Sequence, residues 1–293
     1  MNELFKYNSP KQEYLLNAIN EYLGMEEFDS AIEFIKGRKK ELEEEKIGVN
    51  KCMGYDFYII TKDIKRISNA KMVIVIDSKI QIDDTKMVCC YKSSNIVAKG
   101  CLSILTYNDS FISAIACDKL IAYNNSRIVT CDVRNITLQN NAFGKFMGNS
   151  KGVAYDKCSV TCYNTSECVL YNNAIGYFYQ FSKGHCYNES IANAYADSEL
   201  KLHDRSTAFV FDDVKAKCSD SSSIEIRGTS ETILKFGTKA IVADRTFTDD
   251  RVGSLIAEKG SVVYAKENPI CNIILKFGAV NINTETKEIM VCE

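Results

Sequence analysis

The repetitive stretch 93–228 decides the fold, because it divides without a gap or insertion into seventeen consecutive blocks of eight residues. It begins SSNIVAKG (93–100), CLSILTYN (101–108), DSFISAIA (109–116), CDKLIAYN (117–124) and NSRIVTCD (125–132), and it ends RSTAFVFD (205–212), DVKAKCSD (213–220) and SSSIEIRG (221–228). Position 4 is mostly Ile, Val, Leu, Ala or Gly, position 6 is small or apolar, and position 8 is Asn, Asp or Gly in fourteen of the seventeen blocks. Each block therefore predicts a short β-strand and a tight corner, since Asn, Asp and Gly tolerate a left-handed backbone.

Repeated strands of this length predict a parallel β-solenoid (β-helix), because a strand of about four residues cannot bury its apolar face alone and must stack on its neighbours. Phe146 and Phe178 occupy position 6, and they lie 32 residues apart. That spacing fits a two-sided coil of two blocks better than a triangular coil of three. It also sets Gly152 and Gly184 opposite the two rings, as close packing requires. The sequence favours a flattened coil of 16 residues, with the triangular coil as the alternative.

The repeat also predicts the domain organisation. Residues 51–244 form the solenoid, with gapless octads at 93–228 and weaker ones at 69–92, read as NAKMVIVI, DSKIQIDD and TKMVCCYK, and at 229–244. Residues 1–50 form a helical hairpin, in which one helix begins at Pro10 after Ser9 and the second begins at Asp29 or Ser30 and continues into GRKKELEEEK (37–46). Residues 245–293 form a C-terminal β cap. We expect the helices to cover the open end of the solenoid, whose strand edges would otherwise invite aggregation.

Composition limits the function classes. Lys and Arg number 36 against 38 Asp and Glu, so nothing indicates a polyanion-binding protein, and nucleic acid is not an expected partner. The sequence shows neither a signal peptide nor a run of about 20 apolar residues that could span a membrane, which predicts a cytoplasmic protein without membrane attachment. The thirteen Cys follow the octad pattern and are expected to be free thiols in a reducing compartment.

Position 7 supplies the candidate binding residues. Tyr occupies this position in six consecutive octads, and Tyr107 and Tyr123 come earlier while His203 and Phe211 follow. The six tyrosines are Tyr155, Tyr163, Tyr171, Tyr179, Tyr187 and Tyr195. If position 7 points outward, adjacent coils stack these rings into ladders about 4.8 Å apart. Such ladders would stabilise the solenoid, and they could also form a contact surface for a protein partner or a sugar ring.

The sequence pattern supports no catalytic group. The paired carboxylates Asp212 with Asp213 and Asp249 with Asp250 are adjacent in sequence and should point apart along a strand. His185 and His203 fall on outward positions, and Cys186 should face inward, away from His185. The spacings of zinc sites and the fingerprints of nucleotide sites are missing, so neither a metal nor a cofactor is predicted.

The octads 149–156, NSKGVAYD, and 117–124, CDKLIAYN, resemble the blocks S-x-V-x-A-Y-G/D-S of octapeptide-repeat β-solenoids found in bacterial and phage proteins. The resemblance covers about half of the chain and implies a fold without implying an activity. Gly at position 4 and the many Cys depart from that pattern.

These observations favour a non-enzymatic solenoid that binds another protein. By the family resemblance, it could be a phage or mobile-element protein that engages a host defence or regulatory protein. A carbohydrate-binding or carbohydrate-active β-helix protein is the alternative, and it would need a groove lined by position-7 Tyr with two carboxylates about 5–9 Å apart. A self-assembling scaffold, joined into a homo-oligomer through the N-terminal helices, is the second alternative.

Overall fold

A computed structural model describes residues 7–243, 253–265 and 269–292. The chain is mainly β, with 46% strand and 11% helix, and it forms a parallel β-solenoid of about 16 residues per turn, as the sequence predicts. It divides into two compact units. The first contains the residues up to Thr137 with Asn141–Phe143, and the second contains Leu138–Asn140 with the residues from Gly144 onward.

Three helices precede the strands of the first unit: α1 (Pro10–Gly24), α2 (Phe28–Gly37) and α3 (Lys39–Glu44). α1 begins as predicted, and the Ser9 hydroxyl accepts a hydrogen bond from the backbone N–H of Gln12 at 3.0 Å. The second helix differs from its predicted extent, because α2 ends at Gly37 and the charged segment forms the separate α3. A glycine inside a helix costs about 1 kcal/mol, which favours a break at this point.

The strands of the first unit form two parallel sheets. Sheet A1 has the order β1-β2-β4-β6-β8-β10 and sheet B1 the order β3-β5-β7-β9-β11. Their bounds are β1 (Ile47–Val49), β2 (Phe57–Ile60), β3 (Arg66–Ser68), β4 (Met72–Ile76), β5 (Lys79–Asp83), β6 (Met87–Tyr91), β7 (Asn95–Lys99), β8 (Ser103–Thr106), β9 (Phe111–Ile115), β10 (Lys119–Ala122) and β11 (Arg127–Cys131). The residues of β12 (Asn135–Leu138) and β13 (Phe143–Met147) are divided between the two units.

The helices pack on the outer face of sheet A1. Their buried side chains form one hydrophobic cluster with residues of β1, β2, β4 and β6. Leu15, Ile19 and Ile35 are among the helical members, and Phe57, Met72, Ile74, Met87 and Cys89 are among the strand members. The sequence predicts a cap over the open end of the solenoid, whereas these contacts lie on the outside of the sheet.

The first turns are one residue shorter than the octads require. Met72 of β4 is in register with Met87 of β6, fifteen residues later, whereas Phe111 of β9 is in register with Arg127 of β11, sixteen residues later. The predicted octad 69–76 is therefore wrong by one position. Because helices cover sheet A1, both faces of β4 are apolar, and its sequence MVIVI does not reveal which side chains point inward.

The second unit has the same architecture. Sheet A2 has the order β14-β16-β18-β20-β22-β24-β26-β28, and sheet B2 has the order β15-β17-β19-β21-β23-β25-β27-β29-β30. The strand bounds are β14 (Lys151–Ala154), β15 (Ser159–Cys162), β16 (Glu167–Leu170), β17 (Ile175–Phe178), β18 (Lys183–Cys186), β19 (Ile191–Ala194), β20 (Glu199–Leu202), β21 (Thr207–Val210), β22 (Lys215–Cys218), β23 (Ser223–Ile226), β24 (Glu231–Leu234), β25 (Lys239–Val242), β26 (Gly253–Ala257), β27 (Val262–Ala265), β28 (Cys271–Leu275), β29 (Val280–Asn283) and β30 (Ile289–Val291).

Within an octad of the second unit, positions 2, 4 and 6 point inward and positions 3, 5 and 7 point outward. The burial of β17 alternates accordingly, with Gly176 and Phe178 buried and Ile175 and Tyr177 half-buried. At position 2, the buried hydroxyls of Ser166, Ser206 and Ser222 each donate to the position-7 carbonyl of the preceding block at 2.7 Å. The corner is thereby fixed to the end of the preceding strand.

Position 8 adopts a positive φ in each block from 93–100 to 213–220. This includes the exceptions to the Asn, Asp or Gly rule, namely Ala116 (φ 50), Gln180 (φ 59) and Ala196 (φ 53). Polar corner side chains also bind the turn below them. The Gln180 amide oxygen, for example, accepts from the backbone N–H of Asn164 at 2.9 Å.

The parallel pairing continues beyond residue 244, into the segment predicted as a C-terminal β cap. β26 pairs with β24 and β28, and β27 pairs with β25 and β29, all parallel, while β30 pairs antiparallel with β29. Residues 245–252, 266–268 and 293 of the segment predicted as a C-terminal cap lie outside the described residues, as does residue 244 of the predicted solenoid.

Candidate functional site

Outward-pointing rings form two separate ladders in the second unit. Ladder A2 lies on sheet A2 and consists of Tyr155, Tyr171, Tyr187 and His203, with successive ring centroids 5.3, 5.1 and 4.7 Å apart. Ladder B2 lies on sheet B2 and consists of Tyr163, Tyr179, Tyr195 and Phe211, with centroids 5.1, 4.8 and 4.8 Å apart. The predicted stacking is confirmed, and the six tyrosines divide into two groups of three on different sheets.

Each ladder ring lies nearly parallel to the next, with interplanar angles of 5–16°. All eight rings are half-buried. Because the ring faces cover one another, the solvent reaches the ring edges and the hydroxyl groups. Burial, with smaller contributions from Tyr195 and Tyr163, raises the pKa of Tyr179, so its hydroxyl stays protonated at neutral pH.

The first unit carries a third ladder of Tyr91, Tyr107 and Tyr123, whose centroids are 4.9 and 4.8 Å apart. Tyr107 and Tyr123 are predicted from the sequence, whereas Tyr91 is added by the structure, although it also occupies position 7 of its octad. Tyr91 is buried in the cluster beneath the helices, and Tyr107 packs against that cluster. Burial raises the pKa of Tyr107 to about 12.

Sheet B2 carries an uncharged surface around ladder B2. We define the aromatic face as the outward residues of β15, β17, β19 and β21 at positions 3, 5 and 7. These are Ser159, Thr161, Tyr163, Ile175, Tyr177, Tyr179, Ile191, Asn193, Tyr195, Thr207, Phe209 and Phe211. Each is half-buried, and none carries a charge.

Charged side chains close both ends of the aromatic face. The Lys145 ammonium lies 4.9 Å from the ring centroid of Tyr163. At the other end, the Arg227 guanidinium lies 5.6 Å from the ring centroid of Phe209 and 5.7 Å from that of Phe211, and it forms an ion pair with Glu225 at 2.6 Å. These cations lie at the distances typical of cation–π contacts.

The opposite face of the unit, on sheet A2, has a different chemistry. Its outward positions 3 and 5 from β14 to β22 are Lys151, Val153, Glu167, Val169, Lys183, His185, Glu199, Lys201, Lys215 and Lys217. Charge is therefore sorted between the two faces. This difference becomes visible in the sequence only when alternate octads are assigned to alternate sheets.

The structure separates the residues that the sequence offers for catalysis. Asp212 occupies a corner with φ 57, where its carboxylate accepts from the backbone N–H of Ala196 at 3.4 Å. Asp213 accepts a hydrogen bond from the Thr229 hydroxyl. Cys186 is buried and His185 points outward, so these two do not form a nucleophile pair. Asp249 and Asp250 lie outside the described residues.

His203 has polar neighbours, but their geometry does not match a catalytic triad. The Ser219 hydroxyl lies 2.9 Å from His203 Nδ1, and Asp220 Oδ2 lies 3.7 Å from the same nitrogen. A triad needs the nucleophile and the orienting carboxylate at opposite ring nitrogens. This cluster therefore cannot relay a proton from Ser219 to Asp220 through the imidazole ring.

The cysteines are free thiols, and most of them are buried. Burial raises the pKa of Cys89 and of Cys186 to about 12, so both remain protonated and unreactive near neutral pH. Across residues 7–243, 253–265 and 269–292, no group of three or more His, Cys, Asp and Glu side chains has the arrangement of a metal site.

The groove on sheet A2 does not match the predicted carbohydrate site. The groove on sheet A2 contains the carboxylates Glu167, Glu199 and Glu231, but none of the six tyrosines lines it. No helix among the described residues is long and apolar enough to cross a membrane. Comparison with protein-family models, with curated proteins and with solved structures finds no significant match.

Proposed function

We propose that this chain binds another protein through the aromatic face of sheet B2. The observation that carries the proposal is the absence of charge from all twelve outward positions of β15, β17, β19 and β21, whereas the outer face of sheet A2 is densely charged. The centres of protein interfaces are depleted in charge and enriched in Tyr and Phe, while their rims are polar. Lys145, Glu225 and Arg227 supply such a rim.

The dimensions of the aromatic face suit the centre of an interface. Four strands about 4.8 Å apart and about 16 Å long cover on the order of 300 Å². The largest apolar patch on a typical monomeric protein covers about 300–600 Å², and such a patch is often functional. A stable interface buries about 800 Å² per partner, so the corners of the same coils would have to contribute as well.

The stacking in ladder B2 favours a protein over a sugar as the ligand. A sugar ring would need the face of an aromatic ring, but each face between Tyr163 and Phe211 is covered by the neighbouring ring at 4.8–5.1 Å. The exposed edges and hydroxyl groups can instead contact apolar side chains and backbone groups of a protein. The partner that fits is a folded protein with a flat docking surface, uncharged at its centre.

The test uses two matched variants on opposite faces. Tyr179 is the second ring of ladder B2 and Tyr171 is the second ring of ladder A2, so Tyr179→Glu and Tyr171→Glu disturb stacking equally while only the first places a charge on the aromatic face. The immobilised wild type and both variants are exposed to a lysate of the source organism. Bound proteins are then quantified by mass spectrometry, after circular dichroism has shown that each variant is folded.

We expect a protein that the wild type and Tyr171→Glu retain near one-to-one stoichiometry and that Tyr179→Glu loses. Equal retention by all three chains, or retention by none, would overturn the proposal. Light scattering of the purified wild type distinguishes self-association. If the wild type is a homodimer and Tyr179→Glu dissociates it, the aromatic face binds a second copy of this chain. That outcome would contradict the proposal that the partner is a different protein.

A further inference from the structure

One row of charges on sheet A2 is internally balanced. At position 3, Lys and Glu alternate from turn to turn as Lys151, Glu167, Lys183, Glu199, Lys215 and Glu231. Each lysine forms an ion pair with the glutamate of the next turn, at 2.9, 3.1 and 4.0 Å. This row therefore leaves little unpaired charge on the surface.

The adjacent row at position 5 is not balanced. His185 is in register with Lys201, and Lys201 is in register with Lys217. Like charges directly opposite one another on neighbouring strands are destabilising. Neither Lys201 nor Lys217 forms an ion pair with a residue that the structure describes. Burial, and next the charge of Lys201, lower the pKa of His185, so this imidazole is neutral at pH 7 beside the two lysines.

The same row becomes apolar in the next two strands. Lys217 is in register with Ile233 of β24, and Ile233 is in register with Ile256 of β26. A groove of about 500 Å³ covers this part of sheet A2 and is lined by His185, Lys201, Lys217, Ile233 and Ile256, among others. Its volume falls in the range of small-molecule sites, about 300–1,000 Å³. Two cations that have no ion-pair partner among the described residues thus adjoin an apolar strip within one groove.

We propose that this groove binds an oxyanion carried on a short apolar stem. The carboxylate or phosphate lies between Lys201 and Lys217, where two ammonium groups can donate charge-assisted hydrogen bonds. The stem lies over Ile233 and Ile256, along two strand spacings of about 4.8 Å each. The anion offsets the repulsion between the lysines, and the stem covers Ile233, a residue that is otherwise 38% exposed.

Calorimetric titration of the purified full-length chain tests the site without any protein partner, so its result does not depend on the aromatic face. The probes are octanoate, octyl phosphate and inorganic phosphate. The double variant Lys201→Gln/Lys217→Gln removes the cations. The matched control Lys157→Gln/Lys239→Gln removes the same charge at exposed positions that do not line the groove.

We expect at least one octyl probe to bind the wild type and the control equally and to bind Lys201→Gln/Lys217→Gln at least tenfold more weakly. The stronger of octanoate and octyl phosphate identifies the headgroup. Ile233→Ser should weaken that probe severalfold while leaving the affinity for inorganic phosphate unchanged. Failure of all three probes to bind at millimolar concentration, or equal binding by the lysine variant and the control, would overturn the proposal.

Discussion

A Cβ atom added to Gly184 would lie 2.6 Å from Cζ of Phe178, so the missing side chain on one strand makes room for the ring on the preceding one. Phe178 belongs to sheet B2 and Gly184 to sheet A2, and the contact therefore crosses the interior of the second unit. Gly176, on the same strand as Phe178, leaves a similar space, since its Cβ would lie 2.5 Å from Cε2 of the ring.

Gly184→Ala should destabilise the protein by about 1–3 kcal/mol, the usual cost of adding a methyl group to a filled core. Urea denaturation followed by circular dichroism measures the change. Gly37→Ala is the control, because nothing lies within 4 Å of the added Cβ at that position. An equal effect of the two substitutions would contradict the packing role of Gly184.

Much of this fold is predictable because the octad pattern repeats the same local information in each turn. The 32-residue interval between Phe146 and Phe178, with glycine nearby, was enough to favour two octads per coil, and Gly184 does face Phe178. The register of β4 was not predictable, because helices bury Met72 and Ile74 from outside and remove the alternation that marks an inward face.

The surface chemistry was only partly predictable. The six tyrosines were found, but their division between two sheets depends on the coil size, which the sequence left open between two octads and three. The aromatic face depends further on Ile175, Tyr177 and Phe209, whose positions 3 and 5 vary from block to block. The aromatic face combines three positions from every second octad. Comparing one octad position along the whole chain therefore does not reveal this surface.

Replacing Ala196 at its corner should stabilise the protein. Ala196 adopts φ 53, a left-handed conformation that costs a residue with a Cβ about 1–2 kcal/mol and costs glycine little. Since glycine also gains freedom in the unfolded chain, we expect Ala196→Gly to raise the free energy of unfolding by about 0.5–1 kcal/mol. The control is Asp197→Gly at the next residue, which is exposed, and this substitution should lower the free energy of unfolding. A loss of stability in both variants would argue against strain at the corner.

The stability should fall at alkaline pH. Burial raises the pKa of Tyr107 from 10.0 to about 12 and that of Cys89 from 9.0 to about 12. The unfolded chain releases these protons near the lower values, so between pH 9 and 12 it binds fewer protons than the folded chain, and the free energy of unfolding decreases. The contribution is fully present below pH 9 and is lost as the pH rises through 12.

Denaturant titrations from pH 8 to pH 11.5, at steps of about half a unit, measure this dependence. Tyr107→Phe keeps the ring in its ladder and removes the ionisable hydroxyl, so its stability should decline less steeply above pH 10 than that of the wild type. Identical slopes for the two proteins would show that Tyr107 releases its proton as readily in the folded chain as in the unfolded one.

Lys201→Glu should stabilise the ligand-free protein. The substitution extends the alternation of charge into the second row, because the new carboxylate faces Lys217 in register, where the wild type has two ammonium groups. Opposite charges in directly opposed positions contribute about 0.2–1 kcal/mol, and like charges cost a similar amount. We therefore expect stability to rise from wild type to Lys201→Gln to Lys201→Glu when it is measured at low ionic strength. The differences should shrink at about 1 M salt, where the Debye length is about 3 Å.

The reverse order of stability at low salt would mean that Lys201 makes a favourable contact in the ligand-free protein. The groove would then no longer combine two repelling cations with an apolar strip.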